Sequence, residues 1–124
     1  MRTSMIAVAC AAALLGACGG DGGGYGGTNP MPTSGPVVTS ATVAATPAIQ
    51  FTPATVNLAV GGTVEFDFGT VAHNVYFDND PSGAPENITT PSFNTRVVTT
   101  FPAKGRYVYN CHIHPGMTGV IVVQ

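Results

Sequence analysis

Residues 37–124 are divided into short runs of alternating apolar and polar residues, and this pattern constrains the fold more than any other feature. The runs are rich in Val, Thr, Phe and Tyr, and Gly and Pro punctuate them. Such runs are typical of strands that bury one face, and no segment has the spacing of a long amphipathic helix. The sequence therefore predicts an all-β domain closed as a two-sheet sandwich.

The clearest predicted strand is TVEFDF, in which Val64, Phe66 and Phe68 face the core and the polar residues between them face water. Two glycines just before it supply a turn. The segment 81–91 is punctuated by Gly and Pro, which predicts a loop crossing between the sheets. The other predicted strands, which bring the total to about seven or eight, are 37–43, 48–60 (bent at Pro53), 73–78, 95–101, 105–110 and 119–124.

The N-terminal segment has a different composition. Arg2 is followed by an apolar run and then by small residues, the order of a secretory signal peptide, and the run is too short to span a bilayer. The end of this segment, LGAC, resembles the lipobox of bacterial lipoproteins. We therefore expect a signal peptide at 1–17, a lipidated Cys18 and a flexible Gly/Pro-rich linker up to residue 36. The alternative is an ordinary signal peptide with an unmodified Cys18.

These expectations also give a location and exclude one class of partner. The protein should be exported to the periplasm or the cell surface and held at a bacterial membrane by the lipid on Cys18. Without Arg2 the chain has three basic residues against six acidic ones. That balance offers no footprint for nucleic acid.

The side chains that bind soft or borderline metals are concentrated in two segments of the domain. Within 37–124 the sole cysteine is Cys111, the sole methionine is Met117, and the histidines are His73, His112 and His114. Cys10 and Cys18 lie in or next to the signal peptide, so the domain has no disulfide to expect. A thiolate, two imidazoles and a weak thioether are the donors of a blue-copper site.

The spacing of these residues indicates which of them face the metal. Cys111, His114 and Met117 recur every three residues in a loop between two strands, so a tight loop can turn all three inward. Pro115 and Gly116 suit a sharp turn. His112 alternates with Cys111 and should face solvent.

Four protein donors leave no open position for a substrate, unlike a catalytic zinc site. The expected work is therefore electron transfer, and we do not expect an enzyme. An oxidase or nitrite reductase would need a second copper centre, which three histidines cannot supply.

Each of these residues also has a simpler interpretation. His73 could be a hydrogen-bonded surface or core histidine, Cys111 a small buried hydrophobe, and Met117 a filler of the core. Tyr107 and Tyr109 share the parity of Cys111 and should be core aromatics. The Tyr107 hydroxyl could bond to a loop backbone.

Three stretches of the domain resemble the cupredoxin family, in the group of plastocyanin, pseudoazurin and amicyanin: FTPATVNLAVGGTV, AHNVYFD and GRYVYNCHIHPGMTGVIVV. The resemblance implies a Greek-key β-sandwich over 37–124 that holds one copper ion cycling between Cu(I) and Cu(II). It implies His73, Cys111 and His114 as equatorial ligands and Met117 as the axial ligand. It also implies that Asn74 ties the His73 strand to the cysteine loop, and that electrons pass through the exposed edge of His114.

The sequence departs from the family at two positions beside the cysteine. Asn110 stands where many plastocyanins have an aromatic residue, which puts a photosynthetic partner in doubt. His112 stands where Ser or Thr is usual, so the expected hydroxyl bond to Asn74 is missing.

Three functions remain open from the sequence. The leading one is a monomeric blue-copper protein that shuttles single electrons between redox partner proteins at the cell envelope. The second is a periplasmic copper-binding or copper-delivery protein without redox cycling. The third is a metal-free binding module.

Overall fold

The computed structural model describes residues 35–77 and 83–124. The predicted signal peptide, the lipidated Cys18 and nearly all of the linker lie outside these residues. None of the described segments forms a helix long and apolar enough to cross a membrane. The described chain contains eight strands: β1 (Val38–Thr46), β2 (Gln50–Thr52), β3 (Thr55–Phe68), β4 (His73–Val75), β5 (Ile88–Ser92), β6 (Thr95–Thr100), β7 (Gly105–Asn110) and β8 (Thr118–Val123).

The eight strands form two sheets, which confirms the predicted all-β architecture. The larger sheet runs β2-β1-β3-β8-β7, with β6 also paired to β3, and the smaller sheet consists of β4 and β5. Most of the predicted strands lie within one to three residues of an observed one, and 105–110 matches β7 in full.

The long strand β3 connects the two halves of the larger sheet. Residues 55–58 pair with β8, whereas 63–68 pair with β1 and β6. Followed from Thr46 back to Val38, β1 lies opposite residues of increasing number, from Gln50 to Leu58. Residues 63–68 instead run parallel to β1. The chain therefore reverses between the two halves of β3, at the predicted glycine turn, where Gly61 has a φ of 77°.

Because of this reversal, four of the loops that connect strands lie at the same end of the molecule. Phe68, at the end of β3, pairs with Ala45 near the end of β1 and with Thr95 at the start of β6. His73, at the start of β4, lies opposite Ser92 at the end of β5. The β7–β8 loop meets His73 there. We call this the metal end, formed by residues 46–50, 69–72, 93–94 and 111–117.

The core is built largely from aromatic rings. Val64, Phe66 and Phe68 are fully buried, as the alternation predicts. Tyr107 and Tyr109 are also fully buried, and the Tyr107 hydroxyl donates to the carbonyl of Ala103 at 2.8 Å. Two of the core aromatics therefore lie on β7, the strand that ends immediately before Cys111.

Two of the predicted boundaries differ from the structure. The loop predicted over 81–91 contains most of β5, which begins at Ile88 and includes Pro91. Among the strands of residues 35–77 and 83–124, β5 pairs only with β4. An edge strand tolerates a proline and needs no buried alternation. The single strand predicted over 48–60 is interrupted after Thr52, so that β2 and β3 are separate.

Candidate metal centre

The predicted ligand His73 lies at the start of β4, and its side chain is fully buried. β4 is short and buried at every position because it lies between β5 and the end of β7. Burial of an imidazole requires that its nitrogens find partners. The partners of one nitrogen come from the β7–β8 loop.

The β7–β8 loop is closed by its own backbone. The amide of Cys111 donates to the carbonyl of Met117 at 2.9 Å, and the amide of Met117 donates to the carbonyl of His114 at 3.2 Å. Gly116 has a φ of 85°, a left-handed conformation that favours glycine. Cys111 and Met117 are buried, whereas His114 is half-buried.

Three ligand atoms converge at this point. Nδ1 of His73 lies 3.1 Å from Nδ1 of His114, and the Sγ of Cys111 lies 3.9 Å from the first and 3.6 Å from the second. A point equidistant from the three atoms is about 2.1 Å from each. For comparison, bonds from zinc to histidine nitrogen and cysteine sulfur are ~2.0–2.3 Å long. The three side chains are therefore spaced to share one metal ion.

The electrostatic environment favours the form of His73 that binds metal. Burial lowers the pKa of the His73 imidazole, and the nearby His114 lowers it further. The main-chain carbonyl of Thr46 raises this pKa in part. Its contact with the ring is not a hydrogen bond of ordinary geometry, because Nε2 of His73 has no such bond within the described residues. A neutral imidazole is the form that a metal ion binds.

Asn74 connects β4 to the β7–β8 loop (residues 111–117), which we call the metal loop, but not through the side chain of residue 112. Its Oδ1 accepts a hydrogen bond of 2.7 Å from the main-chain amide of His112. The predicted tie between the His73 strand and the cysteine loop therefore exists without a hydroxyl at position 112. The His112 side chain is exposed, as its alternation with Cys111 predicts.

Tyr76 also contacts the metal loop, although the sequence did not single it out. Its amide and carbonyl both bond to Asn110, each at 2.9 Å, and its ring stacks on the ring of His112 with centroids 3.8 Å apart. Tyr76 shares the strand parity of Asn74, so the segment HNVY carried a signal that both side chains lie on one side of the chain.

A family model of copper binding proteins, the plastocyanin/azurin family, matches residues 38–124. The chain belongs to this family. A search of curated proteins found no match.

Solved structures show the same plastocyanin/azurin fold. Amicyanin from Paracoccus versutus is 26% identical with a TM-score of 0.58, and the alignment covers 68% of this chain and 81% of that one. An oxidised proline variant of amicyanin gives 26% identity, a TM-score of 0.60, and coverage of 69% and 83%. A Cu-containing nitrite reductase from Thermus scotoductus is 32% identical with a TM-score of 0.56. This alignment covers 68% of the present chain but only 22% of the reductase.

The family and the donor set agree on the cofactor. A buried thiol, two imidazole nitrogens and a buried methionine in the same loop suit copper, because sulfur donors favour Cu(I) and imidazoles also suit Cu(II). The arrangement is that of a single type 1 copper site in a copper-binding protein of the electron-transfer class.

Proposed function

We propose that the protein is a blue-copper electron carrier, with His73, Cys111 and His114 as equatorial ligands and Met117 as the axial ligand. The convergence of Cys111 Sγ and the two Nδ1 atoms, none more than 3.9 Å from another, supports this assignment most directly. Copper bound there supplies a one-electron couple, and the chain supplies a fixed set of donors that suits both of its oxidation states.

The exposure of the donors indicates how such a carrier exchanges electrons. His73, Cys111 and Met117 are buried, and only His114 reaches the surface in part. A closed site leaves no coordination position for a substrate, which favours a carrier over an enzyme. The His114 edge is the shortest route from the site to a redox partner protein.

The proposal extends to where the carrier works. The lipoprotein-like signal at residues 1–18 supports export and a lipid anchor at Cys18. The partners are then proteins of the cell envelope, with the carrier itself acting as a monomer. Mass spectrometry of the protein purified from membranes of an expressing bacterium tests the anchor. An N-terminal Cys18 bearing acyl chains supports it, and an unmodified N-terminus contradicts it.

The copper site is tested by adding one equivalent of Cu(II) to the full chain. We expect an intense visible band from charge transfer between the Cys111 thiolate and copper, which bleaches on mild reduction and returns on oxidation. The Cys111→Ser variant should lose the band, whereas Cys18→Ser, the matched control, should keep it. Tight retention of Cu(I) with no such band for Cu(II) would contradict the carrier and favour copper delivery.

A further inference from the structure

The ring of Tyr76 and the ring of His112 form a stacked pair beside the cysteine ligand. Their centroids are 3.8 Å apart and the planes are inclined by only 9°. The two residues are 36 positions apart in the chain, so the contact joins the residue that follows β4 to the metal loop. His112 is exposed and Tyr76 is half-buried, so the pair lies at the surface immediately next to the buried Cys111.

The segment 110–112 is held against β4 from both sides of the cysteine. Before Cys111, Asn110 and Tyr76 exchange two backbone hydrogen bonds of 2.9 Å. After it, the amide of His112 donates to Asn74 Oδ1 at 2.7 Å. Hydrogen bonds therefore hold the backbone on both sides of the ligand.

The aromatic stack adds a side-chain contact to these hydrogen bonds. A flat ring lying on another flat ring restricts the side-chain torsions of both residues. Once the His112 ring is fixed, its Cα and the peptide that joins it to Cys111 have less freedom. The direction of the Cys111 Cα–Cβ bond then varies less.

We propose that Tyr76 and His112 are positioning residues that together fix the orientation of the Cys111 thiolate at the copper site. In the proposed carrier, the overlap between thiolate and copper depends on that orientation. A donor held in one position also rearranges less when the metal changes oxidation state. The inference rests on the proposed copper site, and Tyr76 directly follows strand β4, which begins with the second ligand, His73.

The experiment compares variants that remove the flat ring with variants that keep it. Tyr76→Leu and His112→Leu remove the stack, whereas Tyr76→Phe and His112→Phe preserve it. Visible and electron paramagnetic resonance spectra of the copper-loaded full chain report the copper–thiolate geometry. We expect each Leu variant to change the intensity ratio of the thiolate–copper bands and the copper hyperfine splitting, and the Phe variants to match the wild type. The double Leu variant should change them no further than either single variant.

A second measurement on the metal-free protein separates this inference from the proposed function. Nuclear magnetic resonance couplings of the Cys111 Cβ protons report the χ1 rotamer without copper. We expect one rotamer in the wild type and both Phe variants, and rotamer averaging in both Leu variants. Wild-type couplings in the Leu variants would overturn the proposal, as would Phe variants that behave like Leu variants. If the wild type forms no thiolate–copper band, the proposed function fails while this measurement still decides the role of the stack.

Discussion

Tyr109 places a hydroxyl group inside the aromatic core two residues before the cysteine ligand. The residue is fully buried, and its hydroxyl makes no hydrogen bond to any of the described residues. The ring contacts Phe51, Phe66 and Phe77 at centroid distances of 4.8, 5.4 and 6.0 Å. An unsatisfied buried polar group costs about 1–3 kcal/mol, so the packing of this ring offsets a penalty from its own hydroxyl.

Tyr109→Phe should therefore raise the stability of the metal-free protein at neutral pH and remove a loss of stability at high pH. Burial raises the pKa of Tyr109 above its usual 10.0, so the folded state keeps the proton that the unfolded state loses. The ionisation of Tyr109 therefore leaves the free energy of unfolding unchanged below pH 10. Above pH 10 this free energy falls by about 1.4 kcal/mol per pH unit. Urea unfolding from pH 8 to 11 should show this component in the wild type and not in Tyr109→Phe. Equal slopes in the two proteins would contradict the prediction.

Gly119 lies directly against the same ring, and a Cβ at this position would overlap the Tyr109 ring. Gly119→Ala should therefore destabilise the protein by about 1–3 kcal/mol, the usual cost of overpacking. Gly69→Ala is the matched control, because its Cβ would meet only the Ala45 carbonyl at an ordinary 3.6 Å. Thermal unfolding of both variants measures the difference. A Gly119→Ala variant as stable as Gly69→Ala would show that the ring moves aside freely.

For single residues, the sequence correctly predicts burial where burial follows from the alternation of side chains along a strand. Parity along β7 correctly buries Tyr107 and Tyr109 and exposes His112. It could not predict the stack of Tyr76 on His112, because that contact depends on how β4 lies against the metal loop. A pattern within one strand contains no information on the register between segments so far apart.

Among the elements, β4 determines most of the geometry of the metal centre. It is only three residues long, yet His73 places its Nδ1 beside Cys111 Sγ and Asn74 bonds to the metal loop. Its partner β5 was predicted as loop because Pro91 and a mostly exposed surface hide the strand pattern. The sequence therefore predicts β4, which contains His73, but does not predict β5, the strand that pairs with it.

Asn74 in β4 and Asn87 just before β5 each accept a hydrogen bond from a main-chain amide, so the two residues can be compared as a matched pair. Asn74 Oδ1 accepts from the amide of His112, and Asn87 Oδ1 accepts from the amide of Phe77 at 2.8 Å. Asn74→Ala and Asn87→Ala should each destabilise the metal-free protein, by about 1–3 kcal/mol where the amide stays buried. Only Asn74→Ala should also weaken copper binding and change the visible spectrum. Identical copper titrations for both variants would contradict a role of Asn74 in holding the metal loop.

Over the whole molecule, the metal end differs in charge from the rest of the surface. Its four loops contain no Asp, Glu, Lys or Arg. Three of the large apolar side chains exposed on the described surface lie there: Ile49, Phe93 and Ile113. Of the nearest charges, Arg96 pairs with Asp67 at 3.0 Å and with Glu65 at 3.3 Å, which offsets part of the negative charge of the two carboxylates. A partner that docks over His114 therefore meets a neutral and partly apolar surface.

Electron exchange through this end should consequently depend little on ionic strength, because steering by charge is the term that salt screens. We expect the self-exchange rate between reduced and oxidised protein, measured by nuclear magnetic resonance line broadening at pH 8, to change less than about twofold from 20 to 500 mM NaCl. Ile113→Lys should slow exchange at low salt, since two like charges then meet, and added salt should restore part of the rate. Val60→Lys adds the same charge beside the β3 reversal, at the opposite end, and should leave exchange unchanged. If Val60→Lys slows exchange as much as Ile113→Lys does, the two copies do not meet through the metal end.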